Sequence, residues 1–371
     1  MALGSLVARH SLVSVLAFLS CAFGPACSST TVVPPTPDAG EDGDPGVVCP
    51  AMPKPEPFVK GRHVLPMDGT LRVNHVQAKA THNSYHQGPK STLPEWQYSH
   101  LPLADQFETQ GVRGVELDLH WDDECSRFVV FHIGALDDLT TCRYLTDCLV
   151  AMRAWSAGHP GHHPIFVQIE PKYASSPATD GPRIEALERE IVSVFEKPWL
   201  VVPDDLKGNS ASVAQGLAER GWPTLADARG RFVFYLNDAS AIRDAYTRGR
   251  KNLDGRLLFA EGNLDEPFVA IQVSNSPVGD ADAIKKALAK NVLVRTRADS
   301  NPATAKTNET KDREAALASG AQIVSTDFPA PVSGIPYSVA IPEGTPSRCA
   351  PGVAPTGCTP LSIEDPQKLA R

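Results

Sequence analysis

The chain has 371 residues, of which 42% are hydrophobic and 21% charged, and its formal net charge is −8. This composition is typical of a folded globular protein and excludes a fibrous or wholly disordered chain. The sequence contains no basic stripe, so we expect no nucleic-acid partner. A mildly acidic protein is also not expected to adsorb strongly to anionic membranes, although transient contact with lipid headgroups stays possible.

The amino terminus carries the only long apolar run of the sequence, Ser11 to Phe23. Its 13 residues are too few to span a bilayer, which needs about 20, and the run predicts a secretory signal within residues 1–27. Cys21 and Cys27 follow small residues, so two alternatives stay open: lipid attachment as in a bacterial lipoprotein, or ordinary cleavage near Ala26. We expect a protein that is secreted or lipid-anchored at the bacterial cell envelope.

Six cysteines follow that segment, an even number in a chain predicted to be exported, and disulfides are therefore expected. No CxxC spacing occurs, which disfavours a zinc site or a redox pair. Cys142 with Cys148 and Cys349 with Cys358 would close short loops, so local bridges are favoured while the full pairing stays open. The six residues are Cys49, Cys125, Cys142, Cys148, Cys349 and Cys358.

Composition divides the rest of the chain into three parts. Residues 28–70, and above all Ser28 to Pro57, are rich in Pro, Ser, Thr, Asp and Gly and predict a disordered linker. Residues 71–330 have a suitable size for one α/β barrel domain. Residues 331–371 are proline-rich again and predict an irregular tail that wraps the domain and is held by Cys349 and Cys358.

Short apolar runs alternate with helix-prone stretches throughout residues 71–330, which is the pattern of repeated βα units. Eight runs with intervening helices predict a single TIM-type (β/α)8 barrel of the α/β class. An open α/β sheet is the alternative, and Leu257–Ala260 is a further candidate strand. The eight runs are Val76–Thr81, Gly114–Leu119, Phe128–His132, Ile165–Glu170, Arg231–Leu236, Val269–Ser274, Val292–Arg297 and Gln322–Thr326. The helices are predicted at Leu103–Gln110, Arg143–Ala157, Arg183–Phe195, Ser212–Arg220, Ala241–Arg248, Ala281–Lys290 and Glu309–Ser319.

Ionisable and amide side chains follow the first four predicted strands, at the barrel end where βα loops converge. Glu116 and Asp118 are two residues apart on one strand and therefore point to the same face. With Asn83 and Glu170 they form a set of hard oxygen donors that suits Ca²⁺ and, less well, Mg²⁺.

Two histidines, His82 and His132, are predicted to face each other across the same mouth. One imidazole can remove a proton from an attacking hydroxyl while the other protonates a leaving alkoxide. Together with a cation that neutralises charge on phosphate, this pair suits phosphodiester cleavage.

The motifs that carry these residues also resemble a known family. The segments are THNSY at 81–85, GVRGVELDLHWD at 111–122, FHIG at 131–134 and FVQIEPK at 166–172, followed by LVRTRADS at 293–300 and AALASGAQIVSTDFP at 315–329. Over about residues 74–330 they resemble the phosphatidylinositol-specific phospholipase C superfamily, and the last two resemble its calcium-dependent secreted bacterial branch.

The resemblance implies a role for each motif residue. His82 would be the general base and His132 the general acid, while Asn83, Glu116, Asp118 and Glu170 would bind Ca²⁺. The inositol 2-hydroxyl would attack phosphate and give diacylglycerol and a cyclic inositol phosphate. Lys172, Arg295 and Arg297 would contact phosphate or inositol. Animal members carry lysines on the fifth strand, whereas this chain has Tyr235 and Asn237 there, so Tyr235 is the candidate contact and polyphosphorylated substrates are not expected.

Several other polar residues have more than one interpretation. Asp327 either orients Arg297 or a catalytic histidine, or caps a turn, and His86 and His120 are either partners of the site or loop residues. The histidines within 159–163 are expected at the opposite, amino-terminal face and predict a polar loop rather than a metal site.

Two alternative functions stay open. GAQIVSTDFP also resembles glycerophosphodiester phosphodiesterases, so the chain could act on glycerophosphodiesters or sphingomyelin, although that family's His-Arg-Gly is replaced by His82-Asn83-Ser84. A non-catalytic surface lipoprotein that binds headgroups is the other alternative. The expected partner is a phospholipid at a membrane surface, and the protein is expected to be a monomer without regulatory domains.

Overall fold

The structure, a computed structural model, describes residues 48–88 and 96–370. The sequence segments interpreted as a signal and as most of the linker lie outside these residues. The strands are β1 Val76–Thr81, β2 Val112–Asp122, β3 Arg127–Val130, β4 Ile165–Pro171, β5 Phe232–Leu236, β6 Phe259–Ala260, β7 Ile271–Ser274, β8 Leu293–Arg297, β9 Ile323–Thr326 and β10 Arg348–Cys349.

Eight of these strands form a nearly closed parallel barrel. The hydrogen-bonded order is β6-β5-β4-β2-β1-β9-β8-β7, and a single parallel bridge between Glu261 and Ile271 joins the two ends. Apart from the partly exposed β7, these strands are largely buried on both faces, which explains their continuous apolar runs in the sequence. The predicted TIM-type barrel is confirmed.

The barrel has the predicted number of strands, eight, but one of the predicted strands is wrong. The run Phe128–His132 is not a barrel strand: β3 pairs antiparallel with β2, with Leu119 opposite Val130 and Asp122 opposite Arg127. The candidate Leu257–Ala260 supplies the missing barrel strand β6. An apolar run does not show whether its strand pairs parallel or antiparallel, so the hairpin and the parallel strand look alike in the sequence.

The seven helices that the periodicity predicts are present, with ends that differ by a few residues, and four further helices of four or five residues were not predicted. The described residues contain eleven α-helices. They are α1 Leu103–Gln110, α2 Leu145–Gly158, α3 Asp180–Val192, α4 Pro203–Lys207, α5 Val213–Arg220, α6 Leu225–Ala228, α7 Ala241–Tyr246, α8 Ala281–Ala289, α9 Pro302–Lys306, α10 Lys311–Ala318 and α11 Pro360–Ile363. Short 3₁₀ helices lie at Val73–His75, Lys197–Trp199 and Pro366–Lys368. Within the described ranges, no helix has the length and apolar character that crossing a membrane requires.

Residues 48–70 pack on the barrel, which differs from the predicted linker that extended to residue 70. Cys49 forms a disulfide with Cys125. The Trp199 indole donates a hydrogen bond to the Glu56 carbonyl (2.8 Å), and the buried Asp68 carboxylate pairs with Arg229. These contacts hold the segment in place in spite of its weak hydrophobicity. Composition alone does not reveal such contacts.

The carboxyl-terminal tail covers the amino-terminal end of the barrel. Strand β10 pairs antiparallel with β1, and disulfides join Cys349 to Cys358 and Cys142 to Cys148.

Glu364 is fully buried and accepts a hydrogen bond from Arg113 Nε (3.0 Å). His163 Nε2 lies 3.8 Å from Glu364, and burial lowers the pKa of His163 to about 4. His162 is also fully buried, so these two histidines belong to the core of this end and not to a polar loop.

Candidate active site

Three carboxylates converge at the carboxyl-terminal mouth of the barrel. Glu116 and Asp118 alternate on β2, and Asp118 lies directly opposite Glu170 on the neighbouring β4. One oxygen from each of the three lies within 4.8 Å of the other two. Period-two alternation therefore places both β2 carboxylates on one face, as the spacing predicts.

Asp118 is the most deeply placed of the three. It is fully buried, and neither of its carboxylate oxygens has a hydrogen-bond partner among the described residues. Burial and the negative charge of Glu170 raise the pKa of the Asp118 carboxyl well above its ordinary value. A buried carboxylate without hydrogen bonds is costly, and a divalent cation among these oxygens would relieve that cost. The donor set, all hard oxygen, fits Ca²⁺.

The ammonium group of Lys172 lies beside these carboxylates. Its Nζ is 3.3 Å from Asp118 Oδ2 and bonds to Glu170 Oε1. Although burial lowers the pKa of the Lys172 ammonium, the two carboxylates outweigh burial and raise it overall. Asn237 Nδ2 donates to the other Glu170 oxygen, Oε2 (2.9 Å). Lys172 therefore places a positive charge between the carboxylates of Asp118 and Glu170.

Glu116 is paired with Arg295, which lies on the opposite side of the barrel mouth. Arg295 Nη2 donates to Glu116 Oε2 (2.6 Å), and the same guanidinium bonds to the Asn275 side chain. Burial raises the pKa of the Glu116 carboxyl, but the charges of Arg295, His82 and Arg297 outweigh burial and hold it below its ordinary value. The surroundings of Glu116 therefore favour its ionised form.

Asn83 supplies a neutral oxygen beside this group. Its backbone is left-handed (φ 43°), a conformation that asparagine adopts more readily than most residues, and the residue is buried. Asn83 Nδ2 donates to the Tyr98 hydroxyl (3.2 Å). With the amide nitrogen engaged, Asn83 has its amide oxygen to offer to a cation.

His82 is oriented by a buried carboxylate. Its Nδ1 lies 2.8 Å from Asp327 Oδ1, and its Nε2 lies 3.9 Å from Glu116 Oε1. Arg297 Nη2 donates to the other Asp327 oxygen (3.1 Å). Burial raises the pKa of the Asp327 carboxyl, but Arg297 and His82 outweigh burial and lower it well below its ordinary value. Asp327 is thus a charged group that holds the His82 ring and leaves Nε2 for a substrate.

Asp299 completes this buried charge cluster. Its carboxylate accepts a hydrogen bond from the Asp327 backbone N–H (3.2 Å) and bonds to the Thr326 hydroxyl. Burial and the neighbouring Asp327 charge raise the pKa of Asp299 to about 6. The positive charge of Arg297 is therefore shared mainly with Asp327, the carboxylate in contact with His82.

His132 has a similar arrangement on the loop that follows β3. Its Nδ1 lies 2.7 Å from Asp137 Oδ2, and the fully buried Asp137 side chain also contacts His86 Nε2 (2.9 Å). The antiparallel β3 returns the chain to the level of Leu119, which is why His132 reaches the mouth although β3 lies outside the barrel. Both histidines thus engage a buried carboxylate through Nδ1.

The sequence profile described as "Phosphoinositide phospholipase C, Ca2+-dependent" matches residues 125–351, more than half of the chain. The chain belongs to this Ca²⁺-dependent phosphoinositide phospholipase C family. Its members are phosphodiesterases with Ca²⁺ as cofactor, so the chain is an enzyme of this type that acts on phospholipid. The match begins after β2, so His82, Asn83, Glu116 and Asp118 lie ahead of it. No curated protein sequence matches the chain.

Solved structures show the same fold. A calcium-dependent phosphoinositol-specific phospholipase C from a Gram-negative Pseudomonas species is 20% identical, with a TM-score of 0.55, over 77% of this chain and 98% of that one. A form of it described as a myoinositol complex is 21% identical over 71% and 93%, with a TM-score of 0.54. A Ca²⁺-dependent phosphatidylinositol-specific enzyme from Streptomyces antibioticus is 19% identical over 70% and 96%, with a TM-score of 0.50.

The predicted site residues of this phospholipase C family member divide into two groups. The group at the mouth comprises His82, Asn83, Glu116, Asp118, His132, Glu170, Lys172 and Arg295. Arg297 is buried behind His82 and is engaged by Asp327 and Asp299. Tyr235 is fully buried inside the barrel, where its hydroxyl donates to Gln168 Oε1 (3.0 Å). Both side chains are therefore buried, Tyr235 inside the barrel and Arg297 behind His82 at the carboxyl end of β8.

Three residues that support the site, Asp137, Tyr98 and His100, are not identified by the sequence patterns. Asp137 is the first member of an Asp-Asp pair five residues after His132, a weak signal in a polar loop. His100 Nε2 contacts the His82 carbonyl (2.9 Å), and burial lowers the pKa of His100 to about 4. His120 Nε2 contacts the His132 carbonyl (3.2 Å), so it supports the backbone of the site.

Proposed function

We propose that this protein is a Ca²⁺-dependent phosphatidylinositol-specific phospholipase C that cleaves the glycerol–phosphate bond. The products would be diacylglycerol and a cyclic inositol phosphate, which water can open later. The observation that carries the proposal is the cluster of three carboxylates, Glu116, the buried Asp118 and Glu170, beside a histidine held by Asp327. The relative that is described as a myoinositol complex supports the choice of headgroup.

His82 acts as the general base. Because Asp327 accepts the Nδ1 proton, the lone pair of neutral His82 is on Nε2. This nitrogen takes the proton of the inositol 2-hydroxyl as that oxygen forms a bond to phosphorus. Asp327 stabilises the imidazolium that results, and Arg297 keeps Asp327 charged and in place.

His132 acts as the general acid. With both ring nitrogens protonated, the Nδ1 proton stays on Nδ1 and is donated as a hydrogen bond to Asp137, while the Nε2 proton passes to the glycerol oxygen as the phosphorus–oxygen bond breaks. The proton removed by His82 and the proton given by His132 balance, and the roles reverse if water opens the cyclic product.

Glu116, Asp118, Glu170 and Asn83 are the residues that would hold Ca²⁺. When bound, the ion supplies positive charge that neutralises the charge developing on phosphate. Lys172 and Arg295 add fixed positive charge at the same mouth, although Arg295 is buried and paired with Glu116. We keep Lys172 as the candidate phosphate contact because 30% of its side chain is exposed.

Action at a membrane surface is supported by apolar side chains on the loops of the mouth. Leu136 and Leu139, exposed at 64% and 52%, lie on the loop that carries His132 and Asp137. Others are exposed on the loops after β1, β7 and β9, namely Leu101, Val278 and Val332. Apolar side chains around a mouth can enter a lipid surface while the polar centre meets the headgroup. We propose that a monomer docks in this way.

We also propose that the protein is exported and is either secreted or held at the bacterial cell envelope by a lipid. Three disulfides support an oxidising compartment. The mass of the mature protein distinguishes the two forms, because a lipid-modified Cys21 or Cys27 adds acyl chains to the new amino terminus.

Phosphorus NMR of the purified protein tests the reaction directly. Phosphatidylinositol, phosphatidylcholine and sphingomyelin are incubated separately, each with Ca²⁺ or with EDTA. We expect a cyclic inositol phosphate from phosphatidylinositol with Ca²⁺ only. Products from the choline lipids, or none from any lipid, would contradict the proposal.

A further inference from the structure

The two loops that carry the catalytic histidines are joined to each other beside the mouth. The Gln87 backbone N–H donates to the Leu139 carbonyl (3.2 Å), and the Thr141 N–H donates to the Tyr85 carbonyl (2.8 Å). His86 lies at the centre of this junction, opposite Thr140. The backbone after β1 is thereby held against the loop that follows β3.

The His86 side chain makes one further connection between these loops. Its Nε2 lies 2.9 Å from both oxygens of Asp137, the carboxylate that engages His132 Nδ1. The His86 ring is buried and packs on Tyr98, with ring centroids 4.3 Å apart. The Asp137 carboxylate therefore contacts two imidazole rings, one from each loop.

The protonation of His86 follows from its surroundings. Its Nδ1 is buried without a hydrogen-bond partner in the described parts of the chain, so a proton there would be unsatisfied. Burial also lowers the pKa of His86, which favours the neutral ring. The single proton is thus on Nε2 and is donated to Asp137. A metal ion bound by Nε2 would move that proton to the unpartnered nitrogen, which disfavours a metal site in this trio.

We propose that His86 is a positioning residue for the general acid. By donating to both oxygens of Asp137, it fixes the rotation of the carboxylate, and Asp137 in turn fixes the ring orientation and tautomer of His132. Without His86, the carboxylate has only the His132 donor and can turn about its own side-chain bonds. The inference rests on the role of His132 in the proposed function.

The test compares two substitutions of His86. His86→Phe keeps a ring against Tyr98 but removes the donor, whereas His86→Gln retains an N–H near the position of Nε2. We expect His86→Phe to lower kcat by roughly tenfold with KM within about twofold of wild type, because an acid is misaligned while binding is retained. We expect His86→Gln to restore most of kcat. His159→Phe, at the opposite end of the barrel, is the matched control and should match wild type.

Nitrogen NMR of the histidine rings gives a readout that does not need turnover. In wild type, neutral His132 should carry its proton on Nδ1 and His86 on Nε2, and His86→Phe should give a mixture of His132 tautomers. Wild-type kcat and tautomer in His86→Phe would overturn the proposal, as would a His86→Gln variant as slow as His86→Phe. If His86→Phe does not fold, a wild-type His86 proton on Nδ1 overturns it. If the wild-type protein is inactive on every lipid but His86→Phe still changes the His132 tautomer, the result would contradict the proposed function and not the positioning role of His86.

Discussion

The ammonium nitrogen of Lys172 lies 3.3 Å from Asp118 Oδ2, where it occupies the space beside the least satisfied carboxylate of the mouth. The same ammonium bonds to Glu170. Lys172 is thus a fixed internal cation that competes with any ion for these oxygens. A bound Ca²⁺ would repel the ammonium and release it toward a substrate phosphate.

Replacing Lys172 by Met should therefore tighten Ca²⁺ binding, by roughly threefold to tenfold, because a competing charge is removed. Isothermal titration of Ca²⁺ into substrate-free protein measures this without reference to activity. Lys207→Met is the control, since Lys207 pairs with Asp254 away from the mouth. Asp118→Asn should have the opposite effect and weaken Ca²⁺ binding. Weaker binding by Lys172→Met would contradict the assignment.

Alanine at either of the two proposed catalytic histidines should lower turnover of phosphatidylinositol by roughly 10²- to 10⁴-fold, the usual effect of losing one acid–base group. His82→Ala and His132→Ala are assayed at saturating Ca²⁺ so that changes in metal affinity do not contribute. Circular dichroism confirms that each variant is folded. Wild-type rates in both would exclude the two-histidine mechanism.

Asp327→Asn should reduce kcat by roughly 10²-fold or more with little change in KM. The amide has no negative charge to stabilise the His82 imidazolium, and it can present its NH₂ group to Nδ1 and favour the wrong tautomer. Steady-state kinetics on dispersed substrate measure both constants. A rise in KM at constant kcat would instead assign Asp327 to substrate binding.

Glu190→Gln should stabilise the protein at alkaline pH. Glu190 is buried, one oxygen accepts a hydrogen bond from the Phe128 N–H (2.9 Å), and burial raises the pKa of its carboxyl to about 7. The folded state therefore favours the protonated form, whereas the unfolded carboxyl ionises near its ordinary pKa of 4.5. Wild type should lose stability as pH rises through this window, by on the order of 2–3 kcal/mol by pH 8.

Urea unfolding of both proteins at pH 5 and pH 8 measures this difference in the free energy of unfolding. Gln cannot ionise, so the gain over wild type should be larger at pH 8 than at pH 5. Glu185→Gln, an exposed position on the same helix α3, should show no such pH dependence. An equal gain at both pH values would show that Glu190 is ionised in the folded protein.

Serine at Leu136 and Leu139 together should weaken binding to phosphatidylinositol vesicles by roughly tenfold or more, because burying one leucine in an apolar phase contributes about 1.5–3 kcal/mol. Hydrolysis of a short-chain, monomeric substrate should be unaffected. Vesicle sedimentation and the monomer assay are run in parallel, with Val192→Ser, an exposed apolar site on α3, as the control. An equal loss on both substrates would place the two leucines in the catalytic centre and not in a docking surface.

The sequence by itself determined the barrel and the position of the carboxylates that lie on its strands. Glu116 and Asp118 share a face because side chains alternate along a strand, and Glu170 follows the next barrel strand. These relationships are local, or follow from the convergence of parallel strand ends, so periodicity and order along the chain predict them.

Only the tertiary structure decided which groups hold the histidines. Asp327 is 245 residues from His82 in the chain, and His86 is 51 residues from Asp137. The direction of β3, the burial of Arg297 and Tyr235, and the attachment of residues 48–70 are likewise set by distant contacts. A side chain's partner depends on how loops from separate strands pack together, and local sequence patterns carry no record of that packing.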